Sequence, residues 1–196
     1  MPRQRRSEVA GASYHIVSRG NNKQPIFDDA LRELFPLQLD IVRRRFDWEV
    51  YAWALMTNHF HLVLKIGEAG LSNGMRQLNT GFALASNARF GRINHCVGER
   101  FFSRQITSEH QLFASIRYTL WNPARAGIGV RPADTNWTSY RATAGFEHQP
   151  RALGVAPLLR FFGPDPDRAR AGFCVFVDDG AERCRQPWND GNGILT

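Results

Sequence analysis

MTNHFHLVLK, residues 56–65, sets two histidines at the head of an apolar run. His59 and His61 stand either side of Phe60, and Leu62-Val63-Leu64 continues in the aliphatic, β-branched style of a strand. Successive strand side chains point to opposite faces, so the two imidazoles project one way while Phe60 turns into the core. Two imidazoles side by side on a rigid strand form half a site for a divalent ion. The same spacing also suits two ordinary, partly buried histidines.

Working outward, Trp48 to Met56 (WEVYAWALM) reads as a second strand, and Thr57-Asn58 as the tight turn of a hairpin. Upstream, Leu31, Leu34, Leu37 or Gln38, Ile41 and Val42 recur at helical spacing between Asp28 and Arg45, with Asp28 and Asp29 at the N-terminus. Pro36 lies inside this run and is expected to kink or split it. Further back, Tyr14 to Val17 is a short strand whose His15 shares a face with Val17 and reads as structural. The Gly/Asn-rich loop Ser18 to Gln24 follows. It carries Arg19 and Lys23, and is either a simple turn or a place to meet phosphate.

Downstream, Leu71, Met75, Leu78, Phe82 and Ala85 mark a second amphipathic helix ending near Phe90-Gly91, with Met75 and Phe82 as core. Arg100 to Thr107 alternates as a fourth strand, with Arg100, Phe102 and Arg104 on one face. Cations interleaved with an aromatic can follow a single DNA strand, or simply be solvated at a sheet edge. The order strand, helix, strand, strand, helix, strand predicts an α+β, ferredoxin-like βαββαβ antiparallel sheet. That fold hosts many functions and selects none.

A third helix is predicted from Ser108, its cap, to Asn122, with Leu112, Phe113, Ile116 and Leu120 as the buried stripe. Tyr118 stands about 200° round from Ile116, with Asn122 one turn further along the same face. That position makes Tyr118 either available for chemistry or a plain surface aromatic.

The chain carries 25 Lys+Arg against 18 Asp+Glu, a net charge of +7, which suits a polyanionic partner. Lys23 and Lys65 are the only lysines, and arginine forks match phosphates and stack on bases. Residues Met1 to Ser7 form a basic arm, either solvated or phosphate-binding. Cys96, Cys174 and Cys184 lack a paired spacing, so free thiols in a reducing compartment are expected. No apolar run approaches membrane-span length. The sequence therefore reads as a soluble, cytoplasmic protein with no membrane partner.

Four segments together resemble the REP-associated tyrosine transposases, members of the single-tyrosine HUH class of IS200-like transposases. They are GASYHIVSRGNNKQPIF (11–27), ALMTNHFHLVLK (54–65), LSNGMRQLN (71–79) and YTLWNPARAG (118–127). HxH alone is a weak signal; HxH with the YxxxNPxRAG helix end is specific. The tail PLLRFFGPDPDRARAGFCVFVDDG (157–180) is similar to the helical extension of such proteins.

The resemblance implies a basic arm at 1–10, the transposase domain at 11–145, and a helical extension at 146–196 with a partly disordered end. It makes His59 and His61 metal ligands, Asn122 the third ligand, and Tyr118, on the third helix, the nucleophile. Pro123 biases the preceding Asn122 away from helical geometry. A divalent ion, Mg²⁺ or Mn²⁺, serves as cofactor. The substrate implied is single-stranded DNA beside a REP-type hairpin, in a nucleoid-associated protein that is a monomer or homodimer. Arg19, Lys23, Arg100 and Arg104 are the candidate DNA contacts. A non-catalytic nucleic-acid-binding module and a metal-dependent hydrolase are the alternatives.

Overall fold

In the computed structural model, which describes residues 8–68, 70–93 and 101–179, the histidine stretch is strand β3 (His59–Lys65). It pairs antiparallel with β2 (Glu49–Leu55) on one side and β1 (Ser13–Arg19) on the other. β4 (Phe102–Ile106) joins the far side of β1, giving the sheet order β2-β3-β1-β4. Helix α1 (Asp29–Phe46) links β1 to β2, and α2 (Leu71–Phe90) links β3 to β4. This is the α+β, βαββαβ arrangement expected from the element order. The basic arm Met1 to Ser7, Arg100 and the chain beyond Asp179 lie outside the described residues.

The period-two pattern sorts side chains onto two unlike faces. Ile16, Phe60, Leu62 and Leu64 point under α1 and α2 and are fully buried. The Phe60 ring lies 4.8 Å from that of Phe35 on α1, and Phe27 lies 4.5 Å from Phe82 on α2. Burying one such ring contributes about 1.5–3 kcal/mol, so this cluster anchors both helices to the sheet. Gly74 lets α2 approach closely: a Cβ there would stand 2.1 Å from the Trp48 ring.

Asp28 caps α1, accepting a 2.9 Å hydrogen bond from the Leu31 amide. The expectation that Pro36 splits this helix is corrected, because α1 runs unbroken through it. Phe35 and Leu39, both fully buried, bracket the proline and hold the turn in place against its local preference.

The other sheet face carries His15, Val17, His59, His61 and Val63, and a third helix, α3 (Glu109–Arg125), crosses it. Ser108 caps α3 as its sequence suggested, accepting from the Gln111 amide at 3.2 Å. Ala52 and Ala54 of β2 pair with Val63 and His61 on this face, and their small side chains leave room for α3. Three further helices follow, α4 (Tyr140–Ala144), α5 (Val155–Leu159) and α6 (Pro166–Asp178). The end of α6 is tied to α3: Trp121 Nε1 donates to the Val177 carbonyl at 2.9 Å and Arg117 Nε to that of Phe176 at 3.0 Å. Among the described residues no helix is long and apolar enough to cross a membrane.

Candidate active site

Strand alternation brings His59 and His61 to the same face of β3, their ring centroids 5.0 Å apart. α3 closes over them. Tyr118 meets the His61 ring edge-on at 5.8 Å and the His15 ring at the same distance. His15 in turn stacks on His61 at 5.4 Å with the planes 14° apart. Three imidazoles and a phenol thus share one patch between sheet and helix.

The patch is nearly closed to water: His59 is 7% exposed, His61 2% and Tyr118 9%. Tyr118 does lie off the Leu112–Ile116–Leu120 stripe, yet it is not held away from the interior. The face it uses is the one α3 turns toward the histidines, which the helical pattern alone presents as outward.

His59 and His61 each have one ring nitrogen engaged and one without a hydrogen-bond partner. His59 Nδ1 lies 2.7 Å from Asn58 Oδ1, and His61 Nδ1 lies 3.2 Å from His15 Nε2. The Nε2 atoms of both His59 and His61 are buried and lack a hydrogen-bond partner. Burial pushes His59 down to about 4, with the nearby Arg19 charge adding to it. Burial likewise holds His61 well below the usual histidine range, assisted by His15, His59, Arg19 and Arg125. Both are neutral imidazoles at physiological pH, the form that offers a lone pair.

Asn122 remains inside α3 despite Pro123, and its carbonyl accepts from the Ala126 amide at 3.1 Å. The expected drift from helical geometry is therefore absent. Its amide nitrogen donates to the Tyr118 carbonyl at 3.2 Å, and the residue is 4% exposed. Arg19 pairs with His59 across β1 and β3, and its charge is felt by both histidines. Arg104 pairs with His15 across β1 and β4 and is exposed on the same sheet face, with Phe102 two residues before it. Lys23 is exposed in a 3-10 turn at Asn21–Lys23, beside the β2–β3 turn. Its backbone carbonyl accepts from Asn58 Nδ2 at 3.0 Å.

Two members of the patch were not singled out from sequence as functional. His15 reads as structural on its own strand and becomes a neighbour of His61 only through the β1–β3 register. Arg125 places its guanidinium carbon 5.0 Å from the Tyr118 ring centroid, and its Nη1 is buried without a partner. Its signal was present in the spacing: seven residues after Tyr118 is two helical turns, hence the same face.

The family model described as "Transposase IS200 like" matches residues 8–110. Among solved structures, the chain is similar to a REP-associated tyrosine transposase bound to a REP hairpin. That likeness has a TM-score of 0.64 and 17% identity, and covers 74% of this chain and 86% of that one. A protein of Deinococcus radiodurans described only as a candidate transposase gives a TM-score of 0.43 at 16% identity. It covers 61% of this chain and 96% of its own, too distant for argument. No curated protein matches the chain.

Proposed function

Because the chain belongs to the IS200-like transposase family, we propose that it cuts and rejoins single-stranded DNA beside a REP-type hairpin through a phosphotyrosine on Tyr118. The observation that carries this reading is the Tyr118 ring set edge-on to His61, over two buried imidazoles whose Nε2 atoms lack partners. A core built only for stability leaves few such atoms, since each costs about 1–3 kcal/mol.

The residues fit a divalent cation. Neutral imidazoles with unpartnered Nε2 atoms can present the lone pairs a metal needs, and their other nitrogens are already held. Among the described residues no group of three or more His, Cys, Asp or Glu is arranged to hold a metal ion. The Asn122 amide oxygen, one helical turn after Tyr118, is the candidate third donor that the family resemblance offers. A nitrogen-rich pair favours Mn²⁺ over Mg²⁺ on ligand softness. Such an ion supplies Lewis-acid stabilisation of charge on the scissile phosphate.

The chain's own groups account for the covalent chemistry. A phenol attacks poorly until it loses its proton, after which the Tyr118 oxygen forms a bond to phosphorus. The bond from phosphorus to the 3′-oxygen breaks, and that oxygen takes up a proton to become a free 3′-OH. A 5′-phosphotyrosine remains. Since one phosphodiester has been exchanged for another, a 3′-OH can reverse the step and join strands without a nucleotide cofactor. Arg125 and Arg19, whose charges act on the histidines, would receive phosphate charge. Arg104 and Lys23 continue the path of the backbone. Packing of α3 on the sheet excludes competing water.

The hairpin preference is carried here from the similar transposase, which was bound to a REP hairpin. Labelled single-stranded repeat DNA with a hairpin, incubated with protein and Mn²⁺ and then run on a denaturing gel, tests the reading. A covalent protein–DNA adduct is expected. Cut ends without adduct indicate a hydrolase, and intact DNA that is nonetheless bound indicates a binding module; either result overturns the proposal.

A further inference from the structure

The turn before β3 does more than close a hairpin. Asn58 Nδ2 donates to the Lys23 carbonyl at 3.0 Å, and that carbonyl can only accept. The amide is therefore fixed in one orientation, with Oδ1 directed at His59 Nδ1, 2.7 Å away. An amide oxygen also only accepts, so the proton of a neutral His59 must sit on Nδ1. Its Nε2 is left with the lone pair. The Gly20 amide donates to the Asn58 carbonyl at 2.8 Å, so both backbone and side chain of Asn58 are clamped to the loop after β1.

His61 is governed by a different partner. Its Nδ1 faces His15 Nε2 at 3.2 Å, and the tautomer decides which ring donates. If His61 donates, its Nε2 presents a lone pair; if His15 donates, His61 Nε2 bears a hydrogen and cannot bind a cation. His15 is 7% exposed and stacked against its partner, so it is placed by packing rather than by solvent.

We propose that Asn58 and His15 are positioning residues that hold His59 and His61 in the Nδ1–H tautomer, aligning two Nε2 lone pairs toward one divalent cation. This rests on the metal role given to His59 and His61 above. It adds two residues to that site, one from the hairpin turn and one from the neighbouring strand. Outer partners of metal-bound histidines typically change metal affinity by about 10–100-fold when removed.

The test has a metal-free readout and a metal-binding one. Long-range ¹H–¹⁵N spectra of the metal-free protein at neutral pH are expected to show both His59 and His61 protonated on Nδ1. In His15→Phe, which keeps a flat ring but offers no acceptor, the His61 signal should move toward the other tautomer. Mn²⁺ affinity, read by electron paramagnetic resonance, should fall about 10-fold or more in His15→Phe and in Asn58→Ala. His15→Gln, whose amide oxygen can accept from Nδ1–H, should restore it to within a few-fold of wild type. An Nε2–H tautomer at either histidine of the wild type overturns the inference, as does wild-type Mn²⁺ affinity in both His15→Phe and Asn58→Ala. If wild type binds no Mn²⁺ while the spectra show both Nδ1–H tautomers, the metal reading fails and the tautomer assignment stands.

Discussion

Phe60 and its two neighbours on β3 face opposite sides of one sheet, and the sides are built on different principles. Under Phe60 the rings of Phe27, Phe35 and Phe82 interlock, a cluster of purely apolar side chains that needs no water or ion. Over His59 and His61 the side chains are also buried, yet two nitrogens are left without hydrogen-bond partners and cations stand nearby. The first face gains stability from area removed from water. The second gives some up, because a buried lone pair is unfavourable until something binds it. One strand thus separates what holds the fold from what the fold is for.

That contrast predicts mutations that damage one property and spare the other. The largest effect is expected from Tyr118→Phe, which retains the ring against His61 but lacks the nucleophile. Adduct formation and strand joining should fall to background, with single-strand affinity within a few-fold of wild type and normal folding. Measuring both on one preparation decides it; an adduct in the mutant would place the nucleophile elsewhere, with Tyr14, Tyr51 or Tyr140 next in line. His59→Ala and His61→Ala should likewise abolish divalent-dependent cleavage.

On the other face, Phe60→Ala should cost about 3–5 kcal/mol in denaturant unfolding, the range for emptying a packed phenylalanine site. His61→Ala should cost clearly less, although both side chains are buried. Equal losses would mean that the histidine face is ordinary core.

Acid should act through the histidine face. With His59 depressed to about 4 against 6.5 when unfolded, only the unfolded chain takes up that proton between those values. Stability of the metal-free protein is therefore full above pH 6.5 and declines as pH falls toward 4. His59 alone contributes on the order of 2 kcal/mol of loss by pH 5. His61 acts in the same direction. Thermal unfolding across this range should be flatter in His59→Gln; an unchanged slope would remove His59 as its source.

The smallest effects belong to the rim. Each phosphate contact made by Arg104 or Lys23 should contribute roughly −0.7 to the log–log salt slope of single-strand binding. Single alanine variants should lower the slope by about that amount without altering cleavage chemistry at saturating DNA. A slope unchanged in both would move the DNA path off this face.

The sequence by itself determined the parts that depend on local periodicity. Alternation over residues 59–65 placed both imidazoles opposite Phe60, and three- and four-residue spacing gave α1, α2 and α3 with Ser108 and Gly91 at their ends. The net charge and the two spaced motifs carried the functional reading. Tertiary structure alone decided which face of α3 met which face of the sheet. Tyr118, predicted to point away from the core stripe, is buried because a second packing surface waits on that side. His15 joined His61, and Asn58 reached both His59 and the Lys23 carbonyl, through strand register and loop closure. Pro36 and Asn122 stayed helical against local bias because packing on either side outweighs a preference of a few kcal/mol at most. Periodicity is a property of neighbours in the chain. Register, helix docking and the partner of a buried nitrogen depend on residues tens of positions away, and only the folded chain brings those together.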